Sequence, residues 1–166
     1  MARGMKREKA MPVIVSAEVS VFSHATEDEG KVEEAVLNVI PGEDRGRPKV
    51  QRLTGYHNDP ITMMTWRVRK RKAAAEIFLG LMRSLAARDR WRLIEEAEDR
   101  VDEAGNLYLR LDKQRAYRGR AVLHEADPIR VKFRFRIPHG AKPVGAVRDA
   151  LASVVDEIER EADRGS

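Results

Sequence analysis

Residues Ile129 to Ile137, IRVKFRFRI, alternate without a break. Ile129, Val131, Phe133, Phe135 and Ile137 hold the odd positions; Arg130, Lys132, Arg134 and Arg136 hold the even ones. A helix, with 3.6 residues per turn, would scatter both sets around its axis, whereas an extended strand sorts them onto opposite faces. Such a strand belongs in a sheet that has one face in a core and the other in water, which is how antiparallel sheets are commonly built. Solubility would be served by Thr, Gln or mixed charges. A row of one sign, with successive charges about 6.5 Å apart, costs self-repulsion and calls for an anionic partner.

The remaining periodicity agrees with this frame. Pro12 to His24 reads as a strand with Val13, Val15, Ala17, Val19 and Val21 on one face. Thr26 in TEDE is the expected cap of a helix whose stripe is Val32, Ala35, Val36 and Val39, stopped by PGED. Strands are expected over 48–56 and 61–69, joined by the turn GYHNDP, with Met64, Trp66 and Val68 facing one way. Ile77, Phe78, Leu81, Met82 and Leu85 then mark an amphipathic helix, and DRWRLIEEAEDRV extends it after a break. LYLRLD forms a strand, KQRAYRG a connector, and 120–124 a further strand. Val144, Val147, Leu151, Val154, Val155 and Ile158 stripe a last helix. The expectation is a single α+β domain over 12–162, with a largely antiparallel mixed sheet and helices packed on one face, after a basic flexible tail over 1–11.

Charge shows where the chemistry lies. The 166 residues carry 32 Lys and Arg against 27 Asp and Glu, a net charge of +5, which favours acidic partners. Between Leu107 and Arg136 there are nine cations and three acids, while the acids gather in the helices. Besides the Arg130–Arg136 strand, basic clusters occur at Arg67, Arg69, Lys70, Arg71 and Lys72, and at Lys113, Arg115, Arg118 and Arg120 around Gln114 and Tyr117. Arg110 and Tyr108 join the strand cations if register permits. Phosphate contacts by such cations are salt-sensitive and mostly sequence-independent, and the Arg fork matches phosphate oxygens. Aromatic residues make up only 5%, so recognition by backbone and shape is expected rather than a stacking platform.

Other chemistries find little support. With no cysteine there is neither a disulfide nor a thiol nucleophile. His24, His57, His124 and His139 lack metal-ligand spacing, and helix capping accounts for TEDE better than a metal site. His57 and Asn58 lie in a turn that could meet a phosphate, although turn formation explains those residues equally well. Nothing approaches the roughly 18 apolar residues of a membrane span, and MARGMKREKAM has no apolar region like that of a signal peptide.

HATEDEGKVEEAVLNVIP, LTGYHNDPI and NLYLRLDKQRAYRG together resemble the signature segments of a family of small archaeal proteins. These are predicted exosome-associated RNA-binding proteins with a ribosomal-protein-L-five-like fold. The resemblance runs from about Val13 to about Val155. HATED also resembles a sister family of the same fold, but DKQ with YRG favours the first. The resemblance implies RNA binding and brings forward His57, Asn58, Asp112, Lys113, Gln114 and Tyr117 as contacts. Where the family usually has Gly in the turn before its Pro, this chain has Asn58 and Asp59.

The function expected is therefore non-catalytic RNA binding without a cofactor, in the cytoplasm, with exosome or ribosomal components as further partners and homo-oligomers left open. The rival is a structural or protein-interaction module whose Arg-rich surface forms ion-pair networks or docks an acidic partner. In its ion-pair form, that rival requires a carboxylate opposite each cation from Arg130 to Arg136.

Overall fold

A computed structural model of the chain describes residues 13–40 and 45–165. The tail expected over 1–11 and the PGED helix stop lie outside the described residues. Five strands, β1 (Ile14–His24), β2 (Lys49–Thr54), β3 (Pro60–Val68), β4 (Asn106–Leu111) and β5 (Ile129–Phe135), form one sheet in the order β2-β3-β1-β5-β4. Among the described residues every strand pairing is antiparallel, so the sheet they form is not mixed. Helices α1 (Glu29–Val39), α2 (Arg71–Ser84), α3 (Ala87–Glu95), α4 (Ala97–Arg100), α5 (Lys113–Tyr117) and α6 (Pro143–Arg164) complete the fold. None of the described helices is long and apolar enough to cross a membrane.

The alternating strands behave as the period of two requires. Ala17, Val19 and Val21 of β1, Met64, Trp66 and Val68 of β3, Leu107, Leu109 and Leu111 of β4, and Val131 and Phe133 of β5 are buried under the helices. The ring of Phe78 on α2 meets Phe133 and Phe135 edge-on, with centroids 5.2 and 5.5 Å away, an arrangement that aromatic quadrupoles favour. At its start β1 departs from the expected phase. A register shift between Ile14 and Ser16 puts Ile14 in the core beside Ala17, while Val13 stays 43% exposed. One inserted residue exchanges the faces of everything before it.

Local chemistry corrects three other expectations. The cap of α1 is Asp28, not Thr26; its carboxylate accepts from the Lys31 amide at 3.2 Å. The DKQRAY connector is the short helix α5, capped by Asp112, whose side chain accepts from the Arg115 amide at 3.0 Å. Residues 120–124 are not a strand: only Leu123 bridges Leu111, and the Leu123 amide is given to the Asp89 carboxylate of α3 at 3.0 Å. The backbone bonds to β4 on either side of that bridge run from the Asp112 amide to the Val122 carbonyl and from the His124 amide to the Arg110 carbonyl, both at 2.9 Å, while the Leu123 amide faces away from β4. In the turn before β4, Gly105 accepts from the Phe135 amide at φ +86°, and a Cβ there would lie 2.7 Å from the Ile137 side chain.

Candidate nucleic-acid interface

The sheet face opposite the helices carries the cations, in rows that run across the strands. Asn106 stands opposite Arg134. Tyr108, Lys132, Glu18 and Arg67 make a second row, and Arg110, Arg130, Ser20, Thr65 and Lys49 a third. Register thus brings Arg110 and Tyr108 beside the strand cations. Like charges directly opposite destabilise a sheet, and Arg110 and Arg130 are such a pair. They are drawn apart, Arg110 towards Glu125 at 3.4 Å and Arg130 towards the Phe22 ring, 5.4 Å from its centre.

The acids on this face are too few to neutralise it. Glu18 is shared by Arg67 at 3.4 Å and Lys132 at 3.8 Å. Among the described residues, Arg130, Arg134 and Arg136 have no carboxylate partner. The carboxylate-for-every-cation pattern required by an ion-pair network is therefore absent from this strand. Two shallow depressions follow the rows. One, of about 200 Å³, is lined by Arg67, Arg69, Lys132 and Arg134 with Ser16, Glu18 and Asn106. The other, of about 150 Å³, lies between Tyr108, Arg110, Arg130 and Lys132.

The Tyr108 ring is held in place from below. Its hydroxyl donates to Asp102 at 2.8 Å, and that carboxylate also accepts from the Asn106 side chain at 3.0 Å and from the Ala104 and Asn106 amides. Burial disfavours the Asp102 charge, but these four hydrogen bonds outweigh it and hold the carboxyl down at about 2. Burial, together with the same carboxylate, raises Tyr108 above the usual phenol value.

The other expected contacts lie elsewhere. Lys70 precedes α2, with Arg71 and Lys72 in its first turn, where the helix dipole favours acids. Arg136 follows the end of β5 and lines a separate, mainly apolar groove with Ile137 and the start of α6. Gln114, Tyr117 and Arg118 line a cleft between α5 and α1, in the helix layer. His57 and Asn58 form the exposed tip of the β2–β3 hairpin, at φ 62° and 63°.

Lys113 is the clearest correction. It is only 9% exposed, and its ammonium donates to the Phe22 carbonyl at 2.7 Å, to Glu27 at 3.0 Å and to Asp127 at 2.9 Å. The DKQRAY lysine is thus a structural cation whose donors are already engaged. His24, Glu27 and Asp127 bring possible metal ligands within 4.8 Å of one another. The Lys113 ammonium contacts both carboxylates, supplying the positive charge that an ion would bring. Burial opposes the Asp127 charge, but Lys113 and His24 together lower its pKa. Sequence reasoning missed Glu18 and Phe22 as members of the open face. Their phase in β1 was visible, but the partners that make them matter were not.

A family model described as RNA binding matches residues 16–135. The chain belongs to this RNA-binding family. It is 34% identical over 139 residues to RNA-binding protein PAB1135 of Pyrococcus abyssi, a match covering 80% of this chain and 90% of that protein. A DUF54 protein of Methanothermobacter thermautotrophicus is similar at a TM-score of 0.71 and 33% identity, over 86% of this chain and 98% of that one. A DUF54 protein of Sulfolobus solfataricus, 21% identical, shares the fold at a TM-score of 0.70 over 86% of this chain and 98% of its own. The family and the Pyrococcus relative are described by what they bind, and neither description names a reaction.

Proposed function

We propose that this protein is a non-catalytic RNA-binding domain that holds the phosphate backbone on its open sheet face. The observation that carries the reading is the excess of cations there: Arg67 and Lys132 share one acid, and Arg130 and Arg134 have none among the described residues. Each phosphate contact would release condensed counterions, giving affinity that falls with salt and depends little on sequence. Arg69 extends the track towards the start of α2, where Arg71 and Lys72 add charge at a position that helix stability alone disfavours. A role in RNA processing or degradation beside exosome or ribosomal components, in the cytoplasm, belongs to the same proposal. The resemblance to the exosome-associated family and its ribosomal-protein-L-five-like fold supports it.

The test is the double variant Lys132→Ala with Arg134→Ala. RNA affinity should fall for every sequence tried, and the slope of log affinity against log salt should flatten by up to about one unit per lost contact. Unchanged affinity and slope in a folded double variant would remove the open face from the binding surface.

A further inference from the structure

The open face is not cationic throughout. Past the row of Arg110, Arg130 and Ser20 it becomes mostly apolar: Met63 stands opposite Phe22 on one side and Gln51 on the other, and Ile61 stands opposite both His24 and Leu53. Leu53 is 42% exposed, and Phe22, Ile61 and Met63 are half-buried. They share the uncovered face with the cations, so water meets a contiguous apolar strip of the kind that usually marks a binding surface. Arg130 joins the two halves, its guanidinium leaning over the Phe22 ring at 5.4 Å from the centroid.

We infer that the ligand of this face is unpaired RNA, with phosphates on Arg130, Lys132 and Arg134 and base faces on the strip formed by Phe22, Met63, Ile61 and Leu53. The inference rests on the RNA-binding reading and specifies the form of RNA. An A-form duplex turns phosphates and 2′-hydroxyls outward and keeps its bases stacked inside. Against a duplex, the cations would find partners while the apolar strip would face polar groups. An unpaired strand carries charge and apolar base faces side by side, which suits a surface divided in the same way. The guanidinium of Arg130 adds a plane on which a base can stack. The low aromatic content argued against a stacking platform, but most of this strip is built from Leu, Ile and a polarisable Met, which an aromatic count does not register.

The experiment compares a short unstructured RNA with a blunt duplex of the same length, for the full chain and for Leu53→Ser with Met63→Gln. Leu53→Ser alone, at an exposed edge position, keeps the test available if the double variant does not fold. The native protein should bind the unpaired RNA more tightly than the duplex. The substitutions should weaken unpaired binding by about threefold to tenfold, leaving duplex affinity and both salt slopes unchanged. Duplex binding as tight as unpaired binding would overturn the inference. So would apolar variants that bind unpaired RNA normally, an outcome that points to a protein as the occupant of the strip. If the native chain binds neither RNA in a salt-dependent way, the RNA-binding reading itself fails, and this inference fails with it.

Discussion

Replacing Lys113 with Met distinguishes a lysine that holds the fold together from one that holds RNA. The Lys113 side chain is 9% exposed, and its ammonium has three partner groups: the Phe22 carbonyl at 2.7 Å, the Glu27 carboxylate at 3.0 and 3.2 Å, and Asp127 at 2.9 Å. Met keeps most of the packing of the aliphatic stem and removes the charge. Loss of the donor to a main-chain carbonyl costs about 1 kcal/mol. Breaking a fully buried ion pair would add about 3–5 kcal/mol. Here, however, the Glu27 and Asp127 side chains are 31% and 48% exposed. Water screens them, so each contributes only about 0.5–1 kcal/mol. The total is about 2–3 kcal/mol, a fall of roughly 5–10 °C in melting temperature for a domain of this size. Urea unfolding measures the loss, and RNA titration below the variant's transition measures binding, which should stay within about twofold of native. A variant of native stability with RNA affinity reduced about tenfold would refute this assignment and return Lys113 to the binding surface.

Two further outcomes follow from the same geometry. Glu18→Gln removes the acid shared by Arg67 and Lys132, so RNA binding at low salt should tighten by about twofold to tenfold, with a steeper salt slope; weaker binding in a filter or anisotropy titration would contradict the proposed orientation of the face. Asp102 has its folded pKa lowered from 3.8 to about 2. Its contribution is therefore complete above the unfolded value and is lost as pH falls through the folded one. Urea midpoints between these two pH values should drop more steeply for the native chain than for Asp102→Asn, and parallel profiles would show that this carboxylate does not govern the acid limb.

Much of the fold is legible along the chain because strand and helix faces follow from neighbours only a few positions apart. The two faces of Arg130–Arg136, the buried set Met64, Trp66 and Val68, and the stripe of α6 are all local in this sense. Failures occurred where a distant group intervened. Residues 120–124 meet β4 at a single bridge, and the Leu123 amide, on the side away from β4, goes to Asp89 from 34 positions away. Glu27 reaches Lys113 across 86 positions and turns an expected RNA contact into a buried support. The cap of α1 was misplaced by two residues because Thr26 and Asp28 are both competent, and only the path of the backbone chooses between them.

The sequence by itself determined that a cationic strand face exists, since alternation leaves such a face no other arrangement. Tertiary structure alone decided what lies beside it: Arg110 opposite Arg130, one Glu18 between two cations, and an apolar strip one row further on. The physical reason is that periodicity sets the direction of each side chain locally, whereas pairing register depends on contacts between strands far apart in the chain. Glu18 and Arg67, separated by 49 positions, become neighbours only through that register.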